Sequence, residues 1–486
     1  MIRIGFDDRV KIGMQYVLDA LHLCSPYGQE RVRRLRFYQP SERDELEREL
    51  CDTARIADAA DALKDVIEQI TLVLCSVKDI RPSLRRCREG AVLDHVELFE
   101  IKGYLLRLSE LLPHIKSLEE IAGVSDLELC DPTPMLAVLD PDGTRSRGFY
   151  IPDGATPRLK AIRAEKKQLE ALLYRAETDD ARSELKNRRT RVCADEEAEE
   201  RIVRMQMGQA LAPHLDALLY STDTVGRLDL LIQKALCAKR YGGVRPEITE
   251  ATLDLTDMIN PELCDLLAQK GRRFVPVSLA LERGATVITG ANMGGKSVAL
   301  KTLALNVLLF QAGFLVHAKR ARMPLFHSVC MLFEDRQSIQ SGLSGFGAEI
   351  VSFSKALEDV EQGFSLFLLD EFARGTNPDE GARIVQAVTR YLNDVNAISV
   401  LSTHYDRVAA FAARHYQIIG WKGVDPAEIQ KELKAGVEDG VALIARHMNY
   451  GLYRVEGSAD CPKDALNICR MLSLKPEILE RIEQTY

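Results

Sequence analysis

The stretch Thr286-Val-Ile-Thr-Gly-Ala-Asn-Met-Gly-Gly-Lys-Ser297 decides the fold of this chain. Its first four residues are β-branched and uncharged and read as a short buried strand, and the apolar run at 299–310 reads as a helix. A glycine-rich turn between strand and helix lets successive backbone N–H groups converge on a triphosphate at the positive end of the helix. Gly294 and Gly295 remove Cβ atoms that would keep the backbone away from phosphate oxygens. Gly290, Asn292 and Met293 complete the loop; Lys296 is spaced to reach the β and γ oxygens, and Ser297 to put its hydroxyl on Mg²⁺. The bland alternative, a turn that merely tolerates glycine, does not explain the Lys-Ser that follows.

A second strand carries the acids such a site needs. Phe364-Ser-Leu-Phe-Leu-Leu369 is a near-continuous apolar run, the pattern of a central parallel strand covered on both faces. It ends in Asp370-Glu371, and acids at the carboxyl end of such a strand sit where ligands of open α/β sheets bind. Asp370 is expected to hold Mg²⁺ through water, and Glu371 to polarise an attacking water as general base. Alone, the pair would also suit a helix N-cap. A third strand, Ala397-Ile-Ser-Val-Leu401, ends in Ser402-Thr-His404, where His404 becomes a candidate sensor of the γ-phosphate.

Together, Thr289-Gly-Ala-Asn-Met-Gly-Gly-Lys-Ser297, Asp370-Glu-Phe-Ala-Arg-Gly-Thr376 and Ser402-Thr-His-Tyr405 resemble the ATPase domain of the MutS family, within the wider ABC-type ATPases. Asn292 and the Arg-Gly-Thr after the acidic pair separate it from ordinary transporters. Ser341-Gly-Leu-Ser-Gly-Phe-Gly-Ala-Glu349 is similar to the family's signature segment, with Ser344, Phe346 and Glu349 in register. The resemblance implies ATP and Mg²⁺ as ligands. It also implies a homodimer that closes around two nucleotides, Ser344 reaching the γ-phosphate bound by the opposite chain. Four places depart from the family pattern: Ala291 for a proline, Gly345 for a threonine, Gln337 and Ser338 for two acids, and Phe274-Val-Pro-Val-Ser278 without its asparagine near the adenine.

Length and composition bound the remainder. The 486 residues suggest two or three domains, and 46% apolar residues are enough for substantial cores. A net charge of −8 gives no global attraction for polyanions. Eleven cysteines without C-x-x-C pairs read as reduced thiols of a cytoplasmic protein. The amino terminus shows no signal-peptide hydrophobic region, and no stretch reaches the roughly 18 apolar residues of a membrane span.

The first 240 or so residues read as helical. Helical spacing of leucine and isoleucine runs through 59–77 and 93–112. Thr156-Pro157 is a helix start, after which Leu159, Ile162, Leu169, Leu172 and Leu173 mark one face. Leu228, Leu231, Ile232, Ala235 and Leu236 form a cleaner stripe that stops at Tyr241-Gly242-Gly243. Between these helices, residues 178–204 carry dense charge of both signs, as a solvated helical stretch does. By resemblance this half is similar to the core and lever region of the second bacterial MutS paralogue, on Leu139-Asp-Pro-Asp-Gly143, Ala155-Thr-Pro-Arg-Leu-Lys-Ala-Ile-Arg163, Arg227-Leu-Asp-Leu230 and Arg245-Pro-Glu-Ile248. The expectation is an α/β P-loop (ABC-type) ATPase domain at 246–486, preceded by an all-α helical core at 1–138 and lever helices at 139–245.

No stretch resembles a mismatch-reading domain, the interval between the levers is short for a DNA clamp, and the expectation is of no nuclease-like tail after residue 482. Basic clusters at Arg31-Val-Arg-Arg-Leu-Arg36, at Arg81, Arg85, Arg86 and Arg88, and at Lys319-Arg320-Ala-Arg322 suit solvated faces or, less well, phosphate contacts. Two functions stay open. One is a trimmed DNA-repair ATPase acting on mismatched or branched DNA. The other is a reactivating ATPase for an adenosylcobalamin-dependent lysine or ornithine aminomutase, working on that enzyme or with a partner reactivase subunit.

Overall fold

Where the sequence concentrates β-branched and aliphatic residues between turns, the computed structural model has strands. It describes residues 2, 4–141, 143, 150–290, 295–333, 345–420, 448–456, 469 and 474–484. Among the described residues ten strands fall in chain order: β1 (Glu247–Thr249), β2 (Leu253–Met258), β3 (Val277–Leu281), β4 (Gly284–Thr289), β5 (Arg320–Pro324), β6 (Ser328–Leu332), β7 (Ser365–Asp370), β8 (Ala397–Ser402), β9 (Arg414–Gly420) and β10 (Asn449–Arg454). Among the described residues they form a four-stranded sheet, β1-β5-β2-β3, and a six-stranded sheet, β10-β9-β4-β8-β7-β6.

The larger sheet carries the three strands singled out in the sequence. β4, β7 and β8 are parallel and buried along their whole length, as strands covered on both faces must be. β8 lies between β4 and β7, so the glycine-rich strand and the acidic strand are not neighbours. Register aligns Ile288 with Ser402 and Ser402 with Asp370, which brings the three carboxyl ends level along one edge. β10 pairs antiparallel with β9 and closes one side of the sheet.

The helix expected at 299–310 spans Lys296–Gln311 and is buried almost all round. It touches β7 and β8 of the large sheet and β2 of the small one. Both walls being protein, a polar face would have been costly, which explains its lack of amphipathic patterning. Helix Pro378–Asp394 lies against β4 and β8 and supplies Val385 and Leu392 to a core that includes Phe367, Leu369, Phe372, Ala373 and Leu401.

By packing, the chain divides into two compact units. One comprises Met1–Leu21, Leu35–Ala57 and Lys234–Tyr486; the other comprises His22–Arg34 and Asp58–Gln233. The described residues of the second unit form helices and connecting segments. The run expected at 59–77 is helical only over Lys64–Leu74. The one expected to stop at 112 continues as His95–Ala122, straight through Pro113. An interior proline costs about 3 kcal/mol, yet Leu111, Ile115 and Leu118 on either side of it are buried, and their burial holds the helix together. Asp94 and Glu97 form a reciprocal capping box at its start, and Gly123 ends it in the left-handed region.

Helix Pro157–Arg175 begins as expected: Thr156 Oγ1 accepts from the Leu159 amide at 3.0 Å. Its apolar face is only partly used, since Leu159 and Leu169 are buried but Leu172 is 51% exposed. The charged interval forms helix Asp179–Leu211, packed against Pro157–Arg175 with Arg163 and Lys166 facing Glu196. The third helix, Leu215–Tyr241, ends at Gly242, whose φ is 67°. The basic clusters are largely ion-paired: Arg31 with Asp223, Arg36 with Glu42 and Glu45, Arg81 with Asp79 and Glu30, Arg86 with Glu97, and Arg322 with Glu247. Among the described residues no helix is long and apolar enough to cross a membrane, and the described cysteines are free thiols.

Candidate nucleotide site

Chain direction at the end of β4 is set by two glycines that no other residue could replace without displacement. Gly290 has φ 153°, and a Cβ there would lie 2.8 Å from Cβ of Ile418 on β9. Gly295 has φ 93° and caps helix Lys296–Gln311; a Cβ there would come within 3.1 Å of the Tyr450 ring on β10. Because the cap residue has no side chain, it offers no hydroxyl or carboxylate to the first N–H groups of the helix. Those amides and the positive helix end are suited to an anion. Asn292, Met293 and Gly294, like Ala291, lie outside the described residues.

Lys296 is 4% exposed, and its Nζ donates to the Gly290 carbonyl at 2.7 Å. The same Nζ stands 3.7 Å from Oε1 of Glu371. The two cannot be adjacent by sequence; they meet because β4 and β7 end at the same edge with only β8 between them. Oε2 of Glu371 pairs with Nη1 of Arg374 at 2.8 Å, so both of its oxygens face a cation. Asp370, 7% exposed, accepts a hydrogen bond from Ser402 Oγ at 2.5 Å. The Glu371 amide in turn donates to the Ser402 carbonyl and to Ser402 Oγ, each at 3.1 Å. Ser402 thereby stitches the end of β8 to the acidic pair. Ser297 follows Lys296 in the first helical turn and is half-buried.

His404 is half-buried, with its ring 4.4 Å from that of Tyr405 and its Nδ1 buried without a hydrogen-bond partner among the described residues. Burial holds its imidazole below the ordinary histidine range, with the Glu371 carboxylate pulling the other way. A neutral imidazole beside the acidic strand end keeps a ring nitrogen free to accept or donate. Beneath the loop, Thr289 Oγ1 shares a hydrogen bond of 2.8 Å with His415 Nε2, and Gln417 is held by the Tyr453 hydroxyl.

The expected residues Gly290, Gly295, Lys296, Ser297, Asp370, Glu371 and His404 therefore gather on one sheet edge. Ser344, Gln337 and Ser338 lie outside the described residues. Helix Gly345–Val360 starts directly after Ser344, and its Glu349 accepts from the Ala373 amide at 3.1 Å. Sequence reasoning assigned nothing to Ser402, Tyr405 or Tyr450. The first two stood inside a quoted motif, whereas nothing local marked Tyr450.

The donor set fits Mg²⁺ with a nucleoside triphosphate: an anion-seeking helix end, a buried lysine, and hydroxyl and carboxylate oxygens, the hard ligands magnesium prefers. Fold and site together define a P-loop nucleotide-binding domain. Its family follows from sequence comparison: residues 286–473 match MutS domain V, and this domain belongs to the MutS family. The chain is similar to proteins named Endonuclease MutS2. With that of Thermomicrobium roseum it is 32% identical over 311 residues, covering 62% of this chain and 37% of the relative. With that of Shouchella clausii it is 26% identical over 460 residues, 80% and 56% of the two chains. With that of Staphylococcus epidermidis it is 30% identical over 232 residues, 47% and 29%. The matches thus span between about a third and about half of the relatives' length.

Proposed function

We propose that this protein is a MutS-like ATPase, in which ATP binding and hydrolysis close and open a homodimer that acts on mismatched or branched DNA. The observation that carries the reading is the meeting of Lys296 and Glu371, 3.7 Å apart, at the shared edge of β4 and β7 within a MutS-type domain. In this reading the loop from Gly290 to Gly295, with Asn292, Met293 and Gly294, wraps the phosphates. Lys296 binds their β and γ oxygens, and Ser297 and Asp370 hold Mg²⁺. The bound magnesium supplies positive charge against the charge developing on the leaving phosphates. Glu371 accepts the proton of the attacking water, and His404 senses the γ-phosphate. Ser344 completes the site of the opposite chain.

DNA enters because the relatives are MutS2 proteins named as endonucleases; the ion-paired basic clusters make a broad phosphate-binding face less apt than a local one. The division into helical core 1–138, levers 139–245 and ATPase domain 246–486 stays in the proposal as a functional one, and it cuts across the compact units, since segments 1–21 and 35–57 share a unit with residues 234–486. A cytoplasmic setting is part of the same proposal. The relatives' names give no support to the aminomutase-reactivating alternative. The test is ATP hydrolysis by the parental chain, by Lys296→Ala and by Glu371→Gln, each with and without heteroduplex or branched DNA at low and moderate salt. Lys296→Ala should lose nucleotide binding, whereas Glu371→Gln should bind ATP and stall as a closed dimer. Stimulation by DNA should weaken as salt rises. Glu371→Gln turning over at the parental rate would remove its assignment as base, and indifference to DNA at low salt would remove DNA from the proposal.

A further inference from the structure

The turn after β7 is built in a way that the reaction chemistry alone does not explain. Glu371 has φ 49° and Ala373 has φ 61°, so two non-glycine residues within three positions adopt the left-handed region. Each such residue is disfavoured by its Cβ, and a pair persists only where surrounding groups over-determine the backbone. The surrounding groups are visible. Glu371 N–H is held by Ser402. Ala373, fully buried, is gripped at both its polar atoms: its N–H donates to Oε2 of Glu349 at 3.1 Å, and its carbonyl accepts from the Tyr405 hydroxyl at 3.1 Å. These clasping side chains come from helix Gly345–Val360 and from the segment after β8.

A third element makes room for the clasp. Gly381, in helix Pro378–Asp394, sits where a Cβ would lie 2.4 Å from the Tyr405 hydroxyl and 3.0 Å from the Ala373 carbonyl. Any side chain there would strike the very hydrogen bond that Tyr405 makes. Glycine is otherwise a poor choice inside a helix, so its presence is accounted for by the close approach.

Resting on the assignment of Glu371 as base, we infer that Glu349 and Tyr405 are positioning residues for the ATPase reaction. By fixing Ala373 they hold the strained turn that aims the Glu371 carboxylate toward Lys296 and the phosphate loop. Neither side chain needs to touch nucleotide. The pair also ties the aim of Glu371 to helix Gly345–Val360, so a shift of that helix changes catalysis without changing the phosphate loop. Loss of either grip lets the turn relax toward ordinary backbone and carries the carboxylate off line, where misplacement of about 1 Å suffices to cost on the order of 100-fold in rate.

The experiment measures steady-state ATP hydrolysis and, separately, equilibrium binding of a fluorescent ATP analogue with Mg²⁺, on the full chain. Glu349→Ala and Tyr405→Phe should each lower kcat at least about 10-fold while binding changes less than about 2-fold, since Lys296 and its loop are untouched. Glu349→Gln, whose amide oxygen can still accept, should recover most of the loss. Gly381→Ala should reproduce the Tyr405→Phe phenotype. The decisive comparison is non-additivity: on a Glu371→Gln background, Glu349→Ala should lower the residual rate no further. A thermal melt of each variant separates loss of folding from loss of aim; should Glu349→Ala not fold, the Glu349→Gln and Tyr405→Phe pair carries the test.

Full parental kcat in both Glu349→Ala and Tyr405→Phe, or an additive loss on the Glu371→Gln background, overturns the inference while leaving the proposed function standing. A parental rate in Glu371→Gln itself, or a parental chain that turns over no ATP, overturns the assignment of Glu371 and the inference with it.

Discussion

His317 shows how a single buried group makes stability depend on pH on the acid side. Its ring is buried, neither nitrogen has a hydrogen-bond partner among the described residues, and burial depresses its pKa to about 4. The ordinary value in an unfolded chain is about 6.5. Between these values the unfolded chain binds a proton that the folded chain refuses. This contribution to stability is therefore complete above about pH 6.5 and is lost progressively as pH falls toward 4. At pH 5 the loss amounts to about 2 kcal/mol. His317→Phe should shrink the difference in urea stability between pH 7.5 and pH 5 by about that much. An unchanged difference would mean that the ring is already protonated or solvated in the fold. At the same scale, Gly290→Ala places a Cβ against Ile418 at a φ of 153° and should abolish binding of the ATP analogue while the rest of the chain still melts cooperatively.

Among the elements, helix ends and helix surfaces differ in what they contribute. Thr156 caps helix Pro157–Arg175 and also donates to Glu199 at 2.8 Å, and Glu199 is buried. Thr156→Ala removes the cap and leaves that carboxylate short of a donor, at a cost of about 1–2 kcal/mol. The ion pair of Arg188 with Glu165 spans the same two helices but is largely exposed. Exposed pairs are screened and pay side-chain entropy, so Arg188→Ala should cost less than about 0.5 kcal/mol. Chemical denaturation of the two variants side by side checks the order; a larger loss from Arg188→Ala would reverse the argument. The element scale also shows burial overriding propensity. Pro113 would end a helix in isolation, and here Leu111, Ile115 and Leu118 carry the helix past it.

At the scale of the molecule, the amino-terminal segments 1–21 and 35–57 belong to the same compact unit as residues 234–486. Lys234 and Glu49 form a buried pair at 2.9 Å, and Lys234 Nζ also reaches the Ala312 carbonyl at 3.0 Å. Gln311 binds the Tyr38 and Phe326 carbonyls, and Asn260 binds that of Ile12. Lys234→Met removes the cation paired with the buried Glu49 carboxylate and should cost about 3–5 kcal/mol. The double variant Glu49→Leu with Lys234→Met should recover much of this, as read by urea melts of the intact chain. A loss no smaller in the double variant would show that packing at this point, and not the lone charge, sets the cost.

Much of the nucleotide site was legible because its information is local. A strand, a glycine turn and a helix follow one another within residues 284–311, and Asp370 and Glu371 stand at the end of one apolar run, so short-range sterics and burial fix each piece. Sequence alone determined the class of the domain and the helical character of the first half, and it singled out the residues proposed to meet phosphate and metal. Tertiary structure alone decided that β8 separates β4 from β7, that Ser402 and Arg374 hold the acidic pair, and that Glu349, Tyr405 and Gly381 converge on Ala373. It also decided which segments share a core, through partners such as Glu49 and Lys234, 185 positions apart. The reason is physical: periodicity and turn chemistry act over a few residues, whereas which distant groups can pair in a low-dielectric interior depends on where the folded chain brings them.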